Sequence, residues 1–453
     1  MTTSGPAPGR TSADGADAAR ARLAGALLDS GRTPSPAVQA AFRAVPRHLF
    51  VPGLAPAAAY QDEALVIKYD EDGLPISSSS QPAMMAIMLE QLGLEPGHRV
   101  LEIGTGTGYN AAVLAHIVGP RGAVVTVDID ADLVARARAS LTAAGYGHVR
   151  ARCADGGYGD PDGAPFDRVI VTVGAWDIAP AWLDQLSHGG RLVLPLALRA
   201  IQLSVALERS TSQRGATQHG ATHHGHDHWV STSAFRCGFV RMAGAFADPE
   251  SFRPLRSSPG VYVQVDDGHR VDLAALARAL GGPAVDVGAG IGVASRDELA
   301  DLDLWLTLTE PGLDRLTFMA TAASGGREGP LLPFGALASR GAGPDQLGVS
   351  GLAGAGRANA GRANAGRADR PRPPGIDPAA FPGEVVMRGY GRGGAALAAH
   401  LARQAPGWDS LGRPGAADLS LTVCPAAVDL VVAAGQIVLS RPHVQLAAGW
   451  PVR

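Results

Sequence analysis

Three glycines at alternate positions, Gly104, Gly106 and Gly108, close the run VLEIGTGTG. An apolar stretch precedes them and the helical pattern YNAAVLAHIVG follows, so the run reads as strand, tight turn and helix N-terminus. Glycine in such a turn permits positive φ and lets a ligand approach the backbone closely. The helix beyond it offers N–H donors without intrahelical partners and the positive end of a dipole. Taken alone, the turn suits packing as well as it suits a nucleotide. Two acids shift the balance. Asp128 ends the next apolar run, VVTVDID, about 20 residues past the last glycine, where a carboxylate can take both hydroxyls of a ribose. Asp155 ends a third run, in CADGG, within reach of an adenine edge. Helix capping is the competing role for both.

The spacing is G-x-G-x-G, not the G-x-G-x-x-G of dinucleotide binders, and no G-x-x-x-x-G-K-[ST] phosphate loop is present. Lys68, the single lysine, lies upstream. Glu102 stands immediately before the turn, unfavourable beside a pyrophosphate but suited to a cationic sulfonium ligand with an ammonium group. These features favour S-adenosylmethionine over NAD. The candidate cofactor residues are Glu102, Gly104, Thr105, Gly106, Gly108, Asp128, Ile129, Asp155 and Gly156, with no metal site.

The elements that must hold them alternate regularly. RVLEIG, AVVTVDI, HVRARCAD, FDRVIVTVGA and RLVLPLA read as strands, and YNAAVLAHIVG, DADLVARARASLTAAG and APAWLDQLSHGG as helices. Strands apolar on both faces and separated by helices imply a parallel sheet covered on both sides, an α/β doubly wound fold. At 453 residues the chain exceeds one ordinary core. We expect a disordered segment at 1–16 and a catalytic domain at 17–210, the latter opening with two amphipathic helices. A His-rich low-complexity linker at 211–230 and an α+β domain at 231–453 follow. The second domain should contain strands at LDLWLTLT, SLTVCPA and QIVLS, a helix at GAALAAHLARQA, and a disordered insert at about 340–375 around GRANAGRANAGR.

The chain resembles protein-L-isoaspartate O-methyltransferases over about residues 36 to 200. VPRHLFVP, ISSSSQPAMMAIMLEQL, VLEIGTGTGYNAAVLA, ADGGYG, APFDRVIVTVGA and LDQLSHGGRLVLPL carry the likeness in that order, and the serine–proline segment upstream of the glycine turn is its most specific part. The resemblance implies a class I S-adenosylmethionine-dependent methyltransferase fold, Rossmann-like with a mainly parallel sheet, and an isoaspartyl or aspartyl protein substrate. It implies that Ser80 of SQP faces the methyl-accepting carboxylate. That group is ionised at neutral pH, so a hydroxyl that orients it suffices and no general base is needed. Ser77, Ser78 and Ser79 are expected only to cap the helix that begins near Pro82.

Two departures, with the large C-terminal extension, resemble a subgroup that methylates ordinary aspartate in ribosomally made, modified peptides. From that resemblance we expect the C-terminal region to recognise the precursor. TVGAWDIAP places Trp176 beside the cofactor edge, and the loop ALVIKYDEDGLPISSSS is long and charged. A catalytically silent, peptide-binding scaffold is the rival in another class.

A net charge of -3 and 5% aromatic residues give no footprint for nucleic acid. Cys153, Cys237 and Cys424 form neither a metal spacing nor a disulfide framework, which with the lack of a signal peptide or apolar span suggests a cytoplasmic protein. His219, His223, His224, His226 and His228 lack cysteine partners and read as a solvated insert rather than a metal site.

Overall fold

The computed structural model describes residues 10–210, 228–248, 253–255, 261–265, 271–310, 312–320, 334–339, 347–354, 382–428, 430, 432–433 and 435–450. Helices α1 (Arg10–Asp29) and α2 (Pro36–Ala44) bury Ala16, Ala19, Leu23 and Leu27, then Val38, Ala41 and Phe42, at helical spacing. The part of the expected disordered segment from residue 10 onward is therefore helical, because it already places Ala16 in the core.

After α3 (Pro56–Ala59) comes an antiparallel hairpin, β1 (Leu65–Tyr69) and β2 (Pro75–Ser79), with Leu65 opposite Ser79 and Tyr69 opposite Pro75. Asp70 Oδ1 closes the turn, accepting from the amides of Asp72 and Leu74 at 3.0 and 2.7 Å. Ser77, Ser78 and Ser79 are thus strand residues and do not cap α4 (Pro82–Leu92). Pro82 has no N–H to cap, and the next amide, that of Ala83, donates to Asp62 Oδ1 at 2.8 Å.

The alternation then runs β3 (Arg99–Ile103), α5 (Tyr109–Val118), β4 (Ala123–Asp128), α6 (Ala131–Ala143), β5 (Arg150–Cys153), β6 (Phe166–Val171), α7 (Pro180–Asp184) and β7 (Leu186–Leu198). The five strands lie parallel in the order β5-β4-β3-β6-β7. Successive residues feed opposite cores: Val100 and Val124 pack with α1, α2, α4 and α5, Leu101 and Val125 with α7. The chain winds outward through β4 and β5 and then returns to β6. A crevice opens where that reversal occurs, at the carboxyl ends of β3 and β6. The expected helix APAWLDQLSHGG stops at Asp184, because the Phe166 amide takes the Gln185 carbonyl at 2.8 Å and starts β7.

Strands β8 (Ile201–Arg209) and β9 (Trp229–Cys237) extend this sheet antiparallel from β7. A second, seven-stranded sheet follows, wholly antiparallel. It is built from β10 (Arg253–Pro254), β11 (Val261–Val265), β12 (Val285–Val293), β13 (Leu313–Ala320), β14 (Phe334–Ser339), β15 (Val349–Gly354) and β16 (Gly383–Tyr390), with helices α8 (Leu273–Leu280), α9 (Arg296–Thr309) and α10 (Gly394–Ser410). Finally β17 (Ser420–Pro425), β18 (Ile437–Ser440) and β19 (Val444–Gly449) return to the first sheet beside β9, completing the order β18-β19-β17-β9-β8-β7-β6-β3-β4-β5. A boundary at residue 231 thus does not separate the sheets, since both ends of the C-terminal half belong to the first one. The insert at about 340–375 contains β15, and its remainder beyond residue 354, with the GRANAG tract, lies outside the described residues.

LDLWLTLT is helical, not a strand. It forms most of α9, whose Leu302, Trp305 and Leu306 enter the core of the second sheet while Leu304 and Leu308 enter that of the first. A helix buried on two sides shows apolar residues at nearly every other position, which imitates strand alternation. Its start is capped from the side chain: Ser295 Oγ accepts from the Glu298 amide at 3.2 Å, while Glu298 Oε2 accepts from the Ala294 amide just ahead of the cap at 2.7 Å. Charge also locks the two halves together. Asp303, fully buried, accepts from Arg315 at 2.8 Å and from Arg236 of β9 at 3.2 Å. Arg199, in the β7–β8 turn, donates to the carbonyls of Thr307 and Glu310 at the end of α9.

Among the described residues no helix is long and apolar enough to cross a membrane, and no group of acids, histidines and cysteines is placed to hold a metal. His219, His223, His224 and His226 fall outside them, whereas His228 is buried just ahead of β9.

Candidate active site

The glycine turn lies at the carboxyl end of β3. Gly104 has φ 103°, and a Cβ there would stand 2.7 Å from Thr172 Oγ1; Gly106 has φ 49° and faces the Ser78 carbonyl. A side chain at either place would be strained. Gly108 begins α5 against Ala137 of α6, where a Cβ would come within 3.2 Å. Thus Gly108 serves helix packing, and Gly104 and Gly106 shape the turn.

These glycines border a cavity of about 420 Å³ lined by Ser78, Ser79, Ser80, Met85, Gly104, Thr105, Gly106, Thr107, Tyr109, Asn110, Asp128, Thr172, Val173 and Val240. Its floor is the serine strand and its roof the glycine turn, so the hairpin and the sheet meet across it. Ser80 makes no side-chain hydrogen bond among the described residues. Ser79 Oγ, Tyr109 Oη and Asn110 Oδ1 are buried there without a partner among the described residues. Burial pushes the Tyr109 hydroxyl far above its usual range, so it stays protonated. Three orphaned polar atoms and a glycine cradle in one cavity are the signature of a site shaped for a polar ligand.

Glu102 does not line this cavity. Its carboxylate is completely buried and accepts from Asn110 Nδ2 at 2.7 Å and from Thr126 Oγ1 at 2.6 Å. Desolvation pushes its pKa up to about 7, against the pull of those two donors. Thr105 Oγ1 joins the same cluster, 2.8 Å from Thr126 Oγ1. Glu102 thus orients Asn110, leaving the amide oxygen of Asn110 as an acceptor that could take an ammonium group. A buried carboxylate can serve a cation through such an intermediary, so the donor set fits the sulfonium-type ligand that the sequence suggests.

Asp128 does line the cavity, with Oδ2 accepting from the Gly106 amide at 2.9 Å and Oδ1 from the Asp130 amide at 3.1 Å. Burial raises its pKa. The neighbouring Ile129 is largely exposed beyond the cavity. Asp155 behaves as a cap: Oδ1 accepts from the Gly157 amide at 2.9 Å and Oδ2 from the Ala245 amide at 2.8 Å. Gly156 is dictated by packing, since a Cβ would strike Ile103. The structure therefore gathers Ser80, Gly104, Thr105, Gly106 and Asp128 around one space. It puts Glu102 a layer behind and leaves Gly108, Ile129, Asp155 and Gly156 outside the lining.

Sequence reasoning missed Tyr109, Asn110 and Val240. The first two directly follow the third glycine, and their place in the first turn of α5 was the available signal. Val240 carries none: it arrives from the segment after β9, held by a 2.7 Å bond from the Gly174 amide to its carbonyl.

A family model described as protein-L-isoaspartate(D-aspartate) O-methyltransferase (PCMT) matches residues 19–222. Protein-L-isoaspartate O-methyltransferase 1 of Archaeoglobus fulgidus is 44% identical over 174 residues, covering 38% of this chain and 77% of that protein. The protein-L-isoaspartate O-methyltransferase of Thermotoga maritima is 40% identical over 159 residues, covering 35% of this chain and 50% of that one; the matched stretch is thus half the length of the relative. A solved structure entitled protein-L-isoaspartate O-methyltransferase aligns over 91% of this chain and 99% of its own, at 23% identity and a TM-score of 0.47.

Proposed function

The chain belongs to the protein-L-isoaspartate O-methyltransferase family, and from that membership and the serine-floored cavity we propose that it methylates a side-chain carboxylate in a protein or peptide, isoaspartyl or aspartyl. The observation that carries the reading is one of placement. Ser80, its hydroxyl unengaged, lines the same cavity as Gly104, Gly106, Asn110 and Asp128. S-adenosylmethionine, when bound, supplies an electrophilic methyl group that a carboxylate oxygen takes while the carbon–sulfur bond breaks toward sulfur.

The protein's part is to bind and align. Gly104 and Gly106 admit the ligand to the backbone, Asn110 Oδ1 accepts from its ammonium, and Asp128 holds the ribose hydroxyls. Across the cavity, Ser80 donates to one carboxylate oxygen and leaves the other free to attack. A hydroxyl is the better choice than a cation here, since the acceptor loses its charge on the way to the transition state. The methyl ester then reacts further within the substrate: the next residue's backbone nitrogen closes on the ester carbonyl, methanol leaves, and a succinimide remains.

Two features support a dedicated peptide precursor as acceptor in place of damaged protein. The charged hairpin β1–β2 reaches the second sheet through a 3.3 Å bond from the Tyr262 hydroxyl to the Asp72 carbonyl, and Lys68 pairs with Asp130 beside the cofactor strand. The long hairpin thereby contacts both halves of the chain. Paired peptides that differ only in aspartate or isoaspartate, linear and cyclic, test the choice by mass, through methyl gain and subsequent methanol loss. Modification of isoaspartate alone supports repair; modification of cyclic aspartate supports the precursor reading. Equilibrium binding of S-adenosylmethionine separates enzyme from scaffold: no detectable binding supports the catalytically silent scaffold.

A further inference from the structure

Arg47 is an arginine with no solvent exposure that forms no ion pair among the described residues. Its guanidinium is spent on main-chain carbonyls. Nη1 donates to Gln61 O at 3.0 Å, and Nη2 to Glu63 O at 3.1 Å, Ser80 O at 3.0 Å and Ser79 O at 3.4 Å. Its Cζ also stands 5.8 Å from the centre of the Tyr109 ring, which lines the cavity. Burying a cation without a carboxylate is costly, and burial indeed lowers its pKa. An apolar side chain would avoid that cost only by leaving these carbonyls without a donor. The fork-shaped donor array explains the choice, because its two terminal nitrogens reach two chain segments, 61–63 and 79–80, at once.

We propose that Arg47 is a positioning residue for methyl transfer: by gripping the carbonyl of Ser80 from behind the cavity floor, it fixes the direction in which the Ser80 hydroxyl meets the acceptor carboxylate. This rests on the acceptor-side role of Ser80 given above. The loop at 61–63, which also holds the start of α4 through Asp62, is tied to the same guanidinium, so floor and helix move as one body. On the cofactor side the guanidinium meets only the Tyr109 ring, and it makes no hydrogen bond to Gly104, Gly106 or Asp128 among the described residues.

The test is steady-state kinetics of wild type, R47K and R47M on the best peptide from the panel above, together with the S-adenosylmethionine dissociation constant and the thermal midpoint of each. Lysine keeps the charge but not the fork. Misplacing the hydroxyl by a fraction of an ångström should lower kcat by about tenfold to a hundredfold in R47K, and further in R47M, with peptide KM and cofactor affinity within about threefold of wild type. R47K with kcat within about twofold of wild type overturns the proposal. A cofactor affinity that falls in step with kcat also overturns it, by making Arg47 part of the general scaffold. Failure of both variants to fold does the same. A wild-type protein inactive on every peptide instead sinks the functional reading, and the role of Arg47 falls with it.

Discussion

Glu102 Oε1 and Asn110 Nδ2 are 2.7 Å apart, and that single bond decides which end of the Asn110 amide is left for the cavity. The carboxylate behind the site meets the cavity only through this amide, and its own ionisation is unfavourable where it lies.

Stability should register that cost. The folded-state pKa of Glu102 is raised from 4.5 to about 7, so the folded chain holds a proton the unfolded chain has already released. The stabilisation from this group is full below about pH 4.5 and is lost as pH rises through about 7. Wild type should lose on the order of 2 kcal/mol relative to E102Q across that window, read from denaturant unfolding at pH 4.5 and pH 8. Parallel pH profiles for the two proteins would contradict it.

On the proposed role, Ser80→Ala removes one hydrogen bond to a charged acceptor. Turnover should drop about tenfold to a hundredfold, with affinity for S-adenosylmethionine unchanged by calorimetry. Equal loss of turnover and binding would make Ser80 a structural residue.

Gly104→Ala should weaken the fold itself. The new Cβ meets Thr172 Oγ1 at 2.7 Å, and that hydroxyl is held by the carbonyls of Ile103 and Gly104, so it has nowhere to retreat. Together with the left-handed φ this costs about 1–3 kcal/mol, measurable as a lowered Tm. An unchanged Tm would show that the turn can relax.

Asp303→Ala strands Arg315 and Arg236, both partly or wholly buried at the junction of the two sheets. A loss of about 3–5 kcal/mol is expected, seen as unfolding of both halves in one shifted transition. Separate transitions for the two sheets would argue against a shared junction.

The parts of the site legible in the sequence are those determined by neighbours along the chain. A glycine turn between strand and helix, and an acid at the end of the following strand, carry their geometry locally, and Ser80 was reached through the company of its motif. What could not be read depends on distant partners. Asp155 caps locally through the Gly157 amide, the role that competed for it in the sequence. Its second oxygen, however, is taken by the Ala245 amide from a segment 90 positions away, which no local pattern shows. Arg47 acquires its role from carbonyls 14 to 33 positions downstream. Helix α9 misleads for a physical reason: burial on two flanks removes the polar face by which a helix is recognised. The serines of β2 were misread because a hydroxyl-rich run before proline suits a cap and a strand equally well until Asp62 is seen in the capping position.

The same α9 bears on how such a chain can be altered. Leu304 and Leu308 belong to one hydrophobic interior, Leu302, Trp305 and Leu306 to the other. Excising the later half would strip an inner wall from the catalytic half and bare the flank of β8 and β9, inviting aggregation instead of yielding a minimal enzyme. New acceptor preferences are better sought by exchanging surface loops between intact relatives than by trimming.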